Sequence, residues 1–140
     1  MMSMKIVKTL FLKAPPEHVW KFLTEADQLA LWFHRGAEDL KAGGDWALLT
    51  NSHGKDGERM CWGKVLEMKK PERLVHTFTH NYLKGVETTC TWTLEAVKGG
   101  TILTLVHEGW ENYEDDPFGM GANHDKGWDE HFSRLRTVAS

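Results

Sequence analysis

Histidine is the residue type in this chain best suited to chemistry near neutral pH, and there are eight of them. A metal reading needs ligands at fixed spacing. His124 and His131 fall seven apart on a helical pattern, two turns along one face, too far to share one ion. No H-E-x-x-H stretch occurs, and no two histidines sit four apart on a helical segment. His76 and His80 share a strand, well separated. A site from His107, Glu108 and His124 lacks ligand spacing, so neither metal nor cofactor is expected. For acid–base chemistry the best candidate is His107, next to Glu108. Neighbouring strand residues face opposite ways, so only one of these two could see a pocket. Cys61 and Cys90 are in no C-x-x-C spacing and read as free thiols, small apolar groups in a reducing cytoplasm. No G-x-S-x-G turn offers a nucleophilic serine.

These residues must be positioned by 140 residues, enough for one domain spanning 1–140 with a real core. A net charge of −3 argues against a nucleic-acid partner, which needs clustered Lys and Arg. No apolar run is long enough to span a membrane, and the alternating first residues do not read as a signal peptide. A cytoplasmic location is the expectation.

Along the chain, alternation predicts a first strand over Lys5–Lys13. Pro15 or Pro16 then opens a helix to about Thr24, with Glu17 at its positive end. Asp27 reads as the cap of a second short helix bearing Leu29, Leu31, Trp32 and Phe33. Strand two covers Asp45–Thr50, and residues 51–57 read as a loop. Strands follow over Glu58–Met68, Arg73–His80, Val86–Val97 and Thr101–Gly109, the last two joined at Gly99-Gly100. Trp110–Ala122, acidic and glycine-rich, reads as a solvated mobile loop; the alternative is a lid or partner contact, with Phe118 among glycine hinges. A final helix runs from about Asn123 to Val138. Its apolar stripe is Trp128, Phe132, Leu135 and Val138 or Ala139, with His124 and His131 alongside.

This order carries local motifs: Ala14-Pro15-Pro16-Glu17-His18-Val19-Trp20, Leu31-Trp32-Phe33, Gly43-Gly44-Asp45-Trp46 and Gly63-Lys64-Val65-Leu66-Glu67. Further on come Pro71-Glu72-Arg73-Leu74-Val75, Gly100-Thr101-Ile102-Leu103-Thr104-Leu105, His107-Glu108-Gly109-Trp110 and Gly127-Trp128. Over nearly its whole length the chain resembles the activator of heat-shock-protein ATPase homologue-like family, within the START-like (SRPBCC, birch-pollen-allergen-like) helix-grip superfamily. The resemblance implies an α+β helix-grip fold. In it a curved six-stranded antiparallel sheet wraps a long C-terminal helix, with two short helices between strands one and two. It also implies a link to stress response and a chaperone as one partner, although the chain has no room for the separate chaperone-contacting domain of the eukaryotic members.

Side-chain alternation then proposes an inner face. It holds Leu103, Leu105 and His107 of strand six; Val86, Thr88, Cys90, Trp92 and Leu94 of strand five; and Leu74, His76, Phe78 and His80 of strand four. In strand three, Met60, Trp62 and Lys64 compete with Cys61, Gly63 and Val65. The expected cavity is lined by Trp32, Trp46, His76, Phe78, Trp92, Leu105, His107, His124, Trp128, His131 and Phe132. It suits a small apolar or aromatic molecule (a lipid, polyketide or aromatic compound) held without covalent chemistry. The alternatives are a polyketide-cyclase or hydrolase-like enzyme using a cavity histidine, and a protein-interaction module. Edge strands and tryptophans on the surface would suit a homodimer.

Overall fold

Strict alternation of buried and half-exposed residues makes Thr101, Leu103, Leu105 and His107 one wall of the interior. The strand that carries them is central to a computed structural model that describes residues 4–49 and 58–140. In chain order the elements are β1 (Lys5–Leu12), α1 (Pro16–Thr24), α2 (Ala26–Leu29), β2 (Asp45–Leu49) and β3 (Arg59–Lys69). Then come β4 (Arg73–Phe78), β5 (Thr88–Val97), β6 (Gly100–Glu108) and α3 (Pro117–Val138). The six strands form one antiparallel sheet in the order β1-β6-β5-β4-β3-β2. Register shifts at Leu48/Leu49 and between Val65 and Glu67 bend the β2–β3–β4 side. The expected α+β helix-grip architecture is present, with a curved sheet, two short helices after β1 and one long terminal helix.

Strand β3 settles its two-way register in favour of Cys61 and Val65, which are buried, while Met60 and Lys64 are exposed. Trp62 lies on the outer side with the Arg59 guanidinium 4.4 Å above its ring, a cation–π contact. Gly63 is required there for space. A Cβ at that position would sit 2.2 Å from the Thr77 carbonyl oxygen of β4. That same oxygen accepts from the Trp46 indole at 2.7 Å and bonds His76 Nδ1 at 2.9 Å.

Three sequence expectations need correction. Helix α3 begins at Pro117, not Asn123. Asp116 caps it by accepting from the Gly119 amide at 3.0 Å, and Pro117 supplies the first helical position. Phe118 is therefore in a helical first turn, 77% exposed, and does not form a glycine-hinged lid. Asp27 does not cap α2; Glu25 precedes that helix, which ends at Leu29 so that Leu31, Trp32 and Phe33 follow it in a turn, and Asp27 pairs with Arg35 at 2.6 Å. Strand β4 ends at Phe78, and β5 starts at Thr88 rather than Val86, because residues 81–83 form a 3₁₀ turn that His80 caps. Thr50 and the expected loop at 51–57 lie outside the described residues.

Trp128, Phe132 and Leu135 of α3, and Ala139 at its C-cap, are buried against the sheet. The open edge of β1 is tied to the helix by Lys8, which reaches Asp125 at 2.7 Å and Asp129 at 2.9 Å. An inward charge on an edge strand also discourages unwanted strand pairing. Replacing Gly63 with Ala is expected to lower stability by about 2 kcal/mol or more, through overpacking against β4. Urea unfolding checks this, and an unchanged midpoint would refute the close approach.

Candidate functional site

Buried indole and imidazole groups must find partners, and their pairing fixes the protonation of the core. His76 accepts from Trp92 Nε1 at its Nε2 (3.0 Å), so its Nδ1 carries the proton and donates to the Thr77 carbonyl. Burial pushes this imidazole down to about 4. His107 is determined in the same way. The Thr88 hydroxyl donates to the Phe78 carbonyl at 2.9 Å, which leaves its oxygen to accept from His107 Nε2–H at 2.8 Å. His107 Nδ1 then accepts from the Trp128 indole at 3.0 Å. Both ring nitrogens are engaged, and burial, with lesser contributions from neighbouring imidazoles, holds the group well below its ordinary value. His107 is a fully buried connector from sheet to helix, with no free nitrogen for proton transfer.

The open space lies to one side of this lock. A cavity of about 440 Å³ is bounded by the N-terminal half of α3, the start of β3, the end of β4 with the turn after it, and the segment after α2. Cys61, Phe78, Trp128 and Phe33 form its apolar surface, and Met60 and Tyr82 stand at the exposed side. Four imidazoles also line it: His34, His80, His124 and His131. His124 Nδ1 donates to the Met120 carbonyl at 2.8 Å, and His80 Nδ1 accepts from the Tyr82 amide at 3.2 Å. Their Nε2 atoms lie 2.9 Å apart, so His80 donates and His124 accepts. The rings are nearly parallel, at 6°, and give an uncharged aromatic wall. Burial, and then the neighbouring His124, lowers His80 to about 4. Burial also lowers His124.

Of the residues expected from sequence, Phe78, His124, Trp128 and His131 border this cavity. Trp32, Trp46, His76 and Trp92 instead surround a void of about 20 Å³, room for about one water. Leu105, His107 and Phe132 line neither space. They belong to the packed interior, where Phe132 stacks on Trp128 at 5.2 Å and on Trp32 at 5.9 Å. Sequence reasoning did not single out the other residues that border it: Phe33, His34, Glu58, Arg59, Met60, Cys61, His80, Asn81, Tyr82, Asn123 and Gly127. His80 carried a signal, since it falls on the inner face of strand four; its partner 44 residues away did not. The Cys61 thiol is pushed up by burial, which removes its nucleophilic form. Among the described residues no three His, Cys, Asp or Glu side chains converge as a metal site.

A sheet gripping one long helix, with an apolar cavity beside that helix, defines a helix-grip domain. The chain belongs to the family described as activator of Hsp90 ATPase homolog 1-like protein, whose profile matches residues 13–140. No curated protein sequence matches it. Among solved structures it is similar to CalU16 from Micromonospora echinospora, with TM-score 0.78 and 22% identity, over 99% of this chain and 77% of that one. The solution structure of the Aha1 dimer from Colwellia psychrerythraea gives 0.77 at 19% identity, over 97% and 96%. Protein BH1534 of Bacillus halodurans gives 0.76 at 25% identity, over the full length of both chains.

Six histidines (His34, His76, His80, His107, His124 and His131) are held below the ordinary 6.5 in the folded protein. The unfolded chain therefore takes up protons first, so stability is complete above about pH 6.5 and is lost as pH falls toward 4. The urea midpoint is expected to be flat from about pH 8 to 7 and to drop steeply below about 6.5. Equal midpoints at about pH 7.5 and about pH 5 would contradict the neutral assignments. A double-mutant cycle on His107→Leu and Trp128→Phe is expected to return a coupling of about 1–3 kcal/mol.

Proposed function

We propose that this protein binds a small aromatic or apolar molecule, without covalent chemistry, in the cavity beside the first half of α3. The observation that carries this reading is the lining itself: Phe33, Phe78, Trp128 and Cys61 with four imidazoles around about 440 Å³. That volume is within the usual range of small-molecule sites, and an apolar lining with a few polar groups is their usual chemistry. Flat aromatic faces favour a flat ligand, which gains offset or edge-on ring contacts in addition to burial. Turnover has little support. His107 is committed at both nitrogens, Cys61 is held as the thiol, and the His80–His124 pair spends its shared proton internally.

Gly127 provides the test. It lines the cavity, and a Cβ there meets nothing within 4 Å. Gly127→Leu is expected to fill the space while keeping or raising stability, since Gly costs about 1 kcal/mol in a helix. Titration of the tryptophan fluorescence with lipids, flavonoids and aromatic acids is expected to give a saturable signal in the parent and none in Gly127→Leu. If no compound shifts the emission or melting temperature of the parent, this reading fails.

A second reading, self-association, is favoured by the outer face of β1, where Val7 and Phe11 are 59% and 69% exposed on a strand with one unpaired edge. The Colwellia relative is described as a dimer. Phe11→Glu is expected to convert a dimer to monomer in sedimentation equilibrium. A parent protein that is monomeric at about 100 µM, far above the range of ordinary dimers, would dismiss this reading.

A further inference from the structure

The His80–His124 bond is the thinnest part of the cavity wall. Both residues line the cavity described above, and both also line a second, more open space of about 530 Å³ that reaches Lys84, Tyr113 and Met120. Between the two spaces stand these two residues, with Asn81, Tyr82 and Asn123 beside them. The turn and the helix each have further anchors. Leu83 is fully buried, the Thr79 hydroxyl donates to the Val86 carbonyl at 2.7 Å, and the Trp128 indole holds α3 to His107 at 3.0 Å. The two rings can therefore part by rotation without unfolding either element, and the second space gives them room to move.

The polarity of the pair is fixed by its outer partners. The Tyr82 amide can only donate, so His80 Nδ1 accepts from it at 3.2 Å and His80 Nε2 carries the proton. The Met120 carbonyl can only accept, so His124 Nδ1 donates to it at 2.8 Å and His124 Nε2 keeps a lone pair. Parting the rings presents one donor and one acceptor, facing each other at the edge of a ligand-sized space. A group that fills the gap must accept from His80 and donate to His124. A carboxylate or an ether only accepts, and an ammonium only donates. A hydroxyl does both at one oxygen. We propose that the ligand carries an aromatic hydroxyl and that this group inserts between His80 and His124, accepting from the first and donating to the second. The inference rests on the binding reading above and adds the functional group of the ligand and its anchor. One hydrogen bond is exchanged for two, and no proton is transferred. The two Nε2 atoms move from 2.9 Å to roughly 4.6 Å apart, the span of two ordinary hydrogen bonds bent at a hydroxyl oxygen. The aromatic part follows from Phe78, which borders the cavity and lies edge-on to both imidazoles, at 5.8 and 5.9 Å. A hydroxyl held at the pair brings its ring against that aromatic wall.

Calorimetric titration of the full chain with 2-naphthol and with 2-methoxynaphthalene at neutral pH tests this. The probes share a ring system and are both uncharged there, but the ether has no proton to donate. Naphthol is expected to bind about tenfold more tightly, the gain of about one net neutral hydrogen bond. Nitrogen NMR of the imidazoles in the parent is expected to show the Nε2 resonances of His80 and His124 move when naphthol is added, with both rings still neutral and in the same tautomers. In His124→Phe the remaining His80 N–H serves either oxygen alike, and the ratio is expected to fall to about one. Equal binding of both probes by the parent overturns the hydroxyl proposal and leaves the cavity reading intact. A naphthol preference that leaves both Nε2 resonances unmoved, or that persists in His124→Phe, overturns the assignment to this pair. If neither probe binds the parent, the proposal falls, and the reading beneath it falls with it when the lipids, flavonoids and aromatic acids fail as well.

Discussion

A dry interior that contains imidazoles must give each ring nitrogen a defined partner, and in this chain that constraint places the terminal helix. His107 lies at the inner end of β6. The Thr88 hydroxyl, itself committed to the Phe78 carbonyl, dictates which nitrogen of His107 is protonated. The other nitrogen can then only accept, and the donor it receives is the Trp128 indole of α3. Three strands and the helix thus agree on one tautomer. Phe132, Leu135 and Ala139 are buried with Trp128, but apolar contact is not directional. The hydrogen bond from Trp128 sets the depth and rotation at which that burial takes place.

The location of the cavity follows from that lock. Where α3 is drawn onto β6, the space between sheet and helix is filled by Trp32, Trp92, Trp128 and Phe132 in edge-on and stacked contacts. Room remains beside the helix's first half, next to Gly127, where α3 presents no side chain. There the wall is completed by Phe78 at the end of β4 and by His80, Asn81 and Tyr82, where the chain has left the strand and turns tightly at 81–83. The His80–His124 bond closes that wall by joining the turn to the helix. The cavity is therefore a consequence of two His-centred contacts, one that draws the helix in and one that holds the turn beside it.

The fold was legible because it depends on local alternation. In β4, β5 and β6 the apolar set falls on every second residue, and the buried residues Leu74, His76, Phe78, Cys90, Trp92, Leu103, Leu105 and His107 follow it. The start of α3 was not legible. Gly119 and Gly121 read as loop formers, yet the Asp116 cap and Pro117 outweigh their poor propensity. The site was legible only in part, for a related reason. Alternation tells which side chains face inward but not whether they meet others there. Trp46, His76 and Trp92 face inward and close on one another around a one-water void. Whether an inward ring fills space or borders it depends on the depth of the opposing helix, and that depth is set by a contact between His107 and Trp128, 21 residues apart.

The same economy of polar pairing bears on what such a cavity can do. General acid–base catalysis needs a group with an exchangeable proton and a nitrogen free to use it. In this interior nearly every imidazole nitrogen is consumed by structure. His76 ties Trp92 to the Thr77 carbonyl, His107 ties β5 to α3, and His80 and His124 tie a turn to a helix. Burial keeps these rings neutral, and each bond occupies a nitrogen that proton transfer would need. A histidine-rich cavity is therefore not a catalytic one by composition. Chemistry toward a guest is confined to whatever the internal pairing leaves over.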